Sequence, residues 1–308
     1  MCPSTVDGMK VGAIVRLGPL APGGSPPRYA EVRQMAQHME SAGLDSIWLY
    51  DHLLYRWPGK PTDGIWECWT ILCALAEATN RVGLGTVVMC TPFRNPAVLA
   101  KMAVGLDEVS GGRFTLGIGA GWHQPEFDAF GVPFDHRGGR FAEAVQIISP
   151  LLREGRVDFR GQYYQAPECE VLPVGPRPGG PPLLIAGKGP RLLRLTARYA
   201  DLWNTAWHTD PDSAQARLDA IRGVCADVGR DASTLGLTVG VTLAYPHLSD
   251  SAPPNALTGS TEEIATAFDG YARLGVSELI VDVNPYSPAA LDRLAETLDG
   301  YRAASASR

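Results

Sequence analysis

The sequence predicts an α/β protein, and within that class a TIM-type (β/α)8 barrel with an insertion between strands 4 and 5. Three observations carry this expectation. Eight short apolar, β-branched runs alternate with amphipathic helical runs along the 308 residues, which is the arithmetic of eight β/α units. The first run ends in RLGPLAPGG, which lacks the GxGxxG turn that opens a doubly wound dinucleotide fold. Polar, aromatic and glycine residues also gather just after the apolar runs, where a barrel assembles its site.

The elements follow in order. Residues 11–17 (VGAIVRL) form a continuous apolar run, and a Pro- and Gly-rich loop separates it from a helix at 28–42. Strands at 46–50, 82–89 and 114–118 are each followed by a helical run, at 66–78, 97–109 and 137–152. Residues 154–182, rich in Gly, Pro and Tyr, read as an irregular insertion that caps the site and selects the substrate. Strands at 183–186, 200–204, 237–243 and 278–283 complete the set, with helices from 190 and at 212–228, 261–274 and 288–301. No boundary divides the chain, so residues 1–308 read as one domain with a frayed AASASR tail.

Composition narrows the function. The chain has 27 basic and 33 acidic residues, a net charge of −6, and no basic tract. That excludes a nucleic-acid binder, which needs clustered Lys and Arg, and a protein held to an anionic membrane. The N-terminus lacks the order of a signal peptide, and no run approaches the roughly 18 apolar residues of a membrane span. Six cysteines are scattered without a CxxC pair, as expected of reduced thiols in a cytoplasmic protein.

Candidate site residues follow the strands. In AGKGPR, Gly187 and Gly189 allow close backbone approach and Pro190 suits a first helical turn. The free N–H groups there, with Lys188 or Arg191, make an anion site, although a plain strand-to-helix turn explains the segment equally well. GIGAGW, with Gly119, Gly121 and Trp122, resembles part of a dinucleotide fingerprint and is equally consistent with close packing at a strand end. Asp51-His52 supplies a candidate acid–base group or a structural hydrogen-bonder. His52, His123 and His208 all follow strands, but no HxH lies on the first strand and no HExxH occurs, so no metal site is expected. Among Trp48, Tyr50, Tyr55, Trp57, Trp66, Trp69, Trp122 and Trp207, about half should face a pocket, with Trp48 and Trp69 belonging to the core.

Three long segments, TPFRNPAVLAKMAVGLDEVSGGRFTLGIGAGW, GLDSIWLYDHL and LIAGKGPRLLRLTARYADLWN, resemble the bacterial luciferase-like superfamily of flavin- and deazaflavin-dependent oxidoreductases. The resemblance runs over residues 10 to 300. It implies that Asp51 and His52 contact a deazaflavin ring, with His52 moving a proton and Asp51 positioning the ring. It places a non-prolyl cis peptide at Val87 and Val88, Cys90 where many relatives have Thr, and a phosphate-side loop at Gly119 and Gly121. It also places a phosphate turn at Ala186, Gly187, Lys188, Gly189 and Pro190. Trp122, grouped here with the cofactor-binding residues, stands where sugar-phosphate dehydrogenases of the superfamily carry a catalytic Glu. Pro125 replaces a cofactor-touching Asn, which argues against a sugar-phosphate substrate. The implied cofactor is coenzyme F420, with FMN as the alternative. The implied activity is hydride transfer to or from a small molecule. The alternatives are an FMN monooxygenase fed by a separate flavin or deazaflavin reductase, and a flavin-binding barrel without turnover. A homodimer is expected by resemblance alone.

Overall fold

The structure, a computed structural model, describes residues 8–21, 23–248 and 252–306. Its strands are β1 (Lys10–Ile14), β2 (Ser46–Leu49), β3 (Gly83–Thr86), β4 (Phe114–Gly119), β5 (Leu183–Ala186), β6 (Leu202–Ala206), β7 (Gly236–Ala244) and β8 (Glu278–Asn284). Each pairs in parallel with the next, and Lys10 paired with Glu278 brings β8 back to β1. The barrel is therefore closed and has no sheet edge. The helices are α1 (Tyr29–Ser41), α2 (Cys68–Ala78), α3 (Pro96–Val109), α4 (Gln124–Phe130), α5 (Arg137–Arg153), α6 (Pro190–Tyr199), α7 (Pro211–Asp227), α8 (Thr261–Arg273) and α9 (Pro288–Ala306). The strands read as continuous apolar runs because both faces are covered. One face meets the helices in a large outer core. The other fills the barrel with Ile14, Trp48, Leu184 and Ile280.

Local chemistry shifts several boundaries from the sequence expectation. β1 ends at Ile14, although the Val15 amide still donates to the Trp48 carbonyl at 2.9 Å. β3 stops at Thr86, the Val87–Val88 peptide is cis, and pairing to β4 resumes at Met89–Cys90. β6 begins at Leu202 because Asp201 closes the preceding turn, its amide bonded to the Leu183 carbonyl at 2.8 Å.

The insertion differs most. Arg156–Arg160 and Gln165–Glu170 form an antiparallel hairpin with an irregularity between Val157 and Phe159. Its turn is fixed by Glu143 of α5, whose carboxylate accepts the amides of Gln162, Tyr163 and Tyr164. Arg140 of α5 also lies over the Tyr163 ring, 4.8 Å from its centroid. The hairpin thus packs on α5 outside the barrel, and no residue of 154–182 lines the cavity at the strand ends. The expectation that this segment is irregular and caps the site is corrected accordingly. Among the described residues no helix is long and apolar enough to cross a membrane.

Candidate active site

The cavity opens at the C-terminal ends of the strands and has a volume of about 500 Å³, within the range of small-molecule and cofactor sites. Of the residues expected from the sequence, Asp51, His52, Val87, Val88, Cys90, Gly119, Gly121, Trp122, Ala186, Gly187 and Lys188 all line it. Gly189 and Pro190 do not. They are the N-cap and first residue of α6, one step behind the wall. The first amide bonded back into that helix is Leu193, to Gly189 at 3.0 Å. The amides of Arg191 and Leu192 are therefore free at the rim, as at any helix start. Gly187 answers a packing demand, since a Cβ there would sit 2.3 Å from Leu192 Cδ2.

Asp51 is almost fully buried, and its carboxylate is taken up by neighbouring donors. It accepts the Cys90 amide at 2.9 Å and two guanidinium bonds from Arg94, at 2.6 and 3.2 Å. Arg94 also reaches Glu67, whose carboxylate caps α2 through the amides of Trp69 and Thr70. Burial works against the Arg94 charge, but Asp51 and Glu67 outweigh it and hold the guanidinium above its ordinary value. Arg94 therefore ties the ends of β2 and β3 to the start of α2. The sequence signalled Arg94 only as one residue of the TPFRNP loop.

His52 is held by a residue the sequence reading missed. Its Nδ1 lies 2.9 Å from Glu126 Oε1, and Glu126 Oε2 accepts the Leu53 amide at 2.9 Å. Glu126 is 1% exposed and sits in the first turn of α4. That seven-residue helix is too short to show periodicity in a sequence. A carboxylate on Nδ1 orients the ring and leaves Nε2 as its free nitrogen. Beside it, His123 Nε2 accepts the Arg56 amide at 3.0 Å. Burial pushes the His123 pKa down, opposed by Glu126 and assisted by His52, so His123 is the neutral Nδ1–H tautomer.

Apart from Lys188, the remaining walls are uncharged. Burial pushes up the Cys90 thiol and the Tyr50 phenol, and the phenol oxygen accepts the amides of Leu17 and Gly18 at 3.0 and 3.3 Å. Asn204 is fixed by Thr238 at 2.9 Å. His208 stands behind Thr205, 3.0 Å from its hydroxyl, and burial lowers its pKa. Lys188 is exposed at the rim. Of the aromatics, Tyr50 and Trp122 line the cavity, and Tyr55 and Trp57 pack beside Trp122. Trp48 is core, Trp69 packs against Phe114, and Trp66 points away to the Pro27 carbonyl. Among the described residues no group of three His, Cys, Asp or Glu side chains could hold a metal ion.

A closed β/α barrel with one part-buried histidine–carboxylate pair and a cofactor-sized cavity at its C-terminal mouth is an enzyme framework. The chain belongs to the luciferase-like monooxygenase family, whose model matches residues 9–254. It is 33% identical over 239 residues to an F420-dependent glucose-6-phosphate dehydrogenase of Kineococcus radiotolerans, covering 74% of this chain and 66% of the relative. It is 35% identical over 174 residues to the pyrimidine monooxygenase RutA of a Bradyrhizobium species, covering 54% and 47%. The chain thus spans about half to two thirds of the length of these curated relatives. In three dimensions it superposes on an F420-dependent secondary alcohol dehydrogenase bound to an F420-acetone adduct. The TM-score is 0.79 at 18% identity, over 96% of this chain and 100% of that one, a likeness of fold.

Proposed function

We propose that the protein is an oxidoreductase that binds coenzyme F420 in the cavity and transfers hydride between it and a small organic substrate. The observation that carries this is the His52–Glu126 pair at the cavity wall, 2.9 Å apart. The residues fit the group. Val87, Val88, Ala186 and Leu192 offer an apolar wall to a planar ring. Gly119 and Gly121 keep one side low, and Lys188 with the free amides at the start of α6 would take a phosphate. The bound cofactor supplies the hydride chemistry.

The chain's own groups then have assignable work. His52, oriented by Glu126, gives a proton to or takes one from the substrate oxygen at Nε2, and the Glu126 carboxylate stabilises the imidazolium when it forms. Asp51 acts through Cys90 and Arg94, fixing the wall against which the ring would lie. A cytoplasmic homodimer completes the reading. An FMN-dependent monooxygenase is the second reading, favoured by the similarity to RutA; reduced flavin, unlike a deazaflavin, reacts with oxygen.

Titration with F420 and with FMN in both redox states separates the two. Micromolar or tighter binding of F420 alone supports hydride transfer, whereas preference for reduced FMN with substrate-dependent oxygen uptake overturns it. With a reducible substrate in hand, His52→Ala should lower kcat by roughly 10²–10⁴-fold. Glu126→Gln should lower kcat less and shift the pH profile. Full turnover by His52→Ala would remove the proton-transfer role.

A further inference from the structure

Beside His52 the mouth carries a cluster of rings that extends from the cavity wall at Trp122 out to Tyr55 and Trp57. Trp122 is 55% exposed and Trp57 42% exposed. Their ring centroids lie 6.0 Å apart at 31°, and Tyr55 stacks on Trp57 at 6.1 Å and 22°. Tyr55 in turn lies 4.5 Å from the His52 ring, and Trp122 meets His52 edge-on at 5.4 Å. A solvent-exposed surface of this kind loses the hydrophobic stabilisation that burial of two indoles would give.

We propose that Tyr55, Trp57 and Trp122 form a shelf that binds the planar, uncharged, apolar part of the substrate and presents its reacting atom to His52. This rests on the reading that the cavity holds the cofactor, because Trp122 and His52 border both. The rings already stand at stacking distance from one another, within the roughly 4.5–7 Å of aromatic pairs, so a ligand lies on their outer faces and does not slide between them. Ring geometry sets the class of ligand: a flat conjugated ring covers more of the two exposed indole faces than a puckered saturated ring does. An aromatic or conjugated cyclic carbonyl compound, or its alcohol, fits this surface best; a sugar phosphate offers it no flat apolar face.

The test is calorimetric binding of 2-naphthaldehyde, cyclohexanecarbaldehyde and glucose 6-phosphate to the full chain, with and without bound F420. Naphthaldehyde should bind about tenfold tighter than the other two, and Trp57→Ala and Trp122→Ala should each lose about tenfold for it. Trp66→Ala removes an equally exposed indole that is bonded to the Pro27 carbonyl and lies outside the ring cluster, and should stay within about twofold. If Trp57→Ala does not fold, Trp57→Phe should bind naphthaldehyde with intermediate affinity. Equal affinity for the three compounds, or equal losses in Trp66→Ala and Trp57→Ala, overturns the shelf. A separate F420 titration isolates the underlying reading. Trp57→Ala should keep the wild-type F420 affinity. A wild type that binds naphthaldehyde selectively but no F420 refutes the cofactor and keeps the shelf.

Discussion

At the scale of single residues, the pair Asp51–Arg94 gives a cavity-lining motif residue a second task, that of holding the strand ends together. The Asp51 side chain is fully buried and that of Arg94 is 14% exposed, so neither charge is well solvated. Removing one partner of such a pair leaves the other uncompensated, at a cost of roughly 3–5 kcal/mol. Arg94→Met should therefore lower stability by about 3 kcal/mol, read as the midpoint of urea unfolding. The double variant with Asp51→Asn should recover part of that loss, because the two sites are coupled. A midpoint unchanged by Arg94→Met would mean that Asp51 is held by the Cys90 amide alone. The Asp51-His52 dipeptide was legible in the sequence, yet its two members face different tasks. His52 turns to Glu126, 74 positions away, and Asp51 turns to Arg94, 43 positions away. Sequence spacing carries no signal for partners that meet only when the strands of the barrel come together.

At the scale of elements, β4 and its exit turn decide the geometry of the mouth. The Thr86 hydroxyl donates to the Gly117 carbonyl at 2.8 Å and accepts the Gly117 amide at 2.9 Å. A Cβ at position 117 would lie 1.8 Å from the Thr86 carbonyl oxygen. At Gly121 the backbone has φ +74°, and a Cβ would lie 2.5 Å from the Phe127 ring. Gly121→Ala combines left-handed backbone with overpacking and should cost about 2 kcal/mol. Because the same turn launches α4, it should also loosen Glu126 from the His52 loop. Faster hydrogen exchange at the Leu53 amide, which Glu126 accepts, would report this; unchanged exchange would separate the turn from the pair. Strand packing accounts for Gly117, whereas Gly119 and Gly121 both pack closely and line the cavity, so both readings of GIGAGW stand. The eight barrel strands were legible because burial on both faces leaves short, predominantly apolar runs. The hairpin at Arg156–Arg160 and Gln165–Glu170 was not, because its alternation is exposed–intermediate and Gly, Pro and Tyr dominate the segment.

At the scale of the whole molecule, titration should divide acid unfolding into two stages. His123 and His208 are both buried, and burial lowers the pKa of each from the ordinary 6.5. Their unfolded forms therefore bind protons that the folded forms refuse. By linkage, the stability these histidines contribute is complete above about pH 6.5 and is lost as pH falls below it, until the folded groups themselves protonate. Glu40 behaves differently. Burial opposes its charge, but the amides of Val82, Arg81 and Asn80 outweigh it and hold its pKa below the ordinary 4.5. Its contribution is intact above about pH 4.5 and is lost only as pH falls through its depressed value. The thermal midpoint should then be level from about pH 8 to 7, decline as pH falls below about 6.5, and fall further below about pH 4.5. The double variant His123→Gln/His208→Gln should start lower at pH 8 and remove the first decline while keeping the second. A wild-type curve that stays level down to pH 5 would show that the two imidazoles protonate in place, the mouth opening to water before the barrel unfolds.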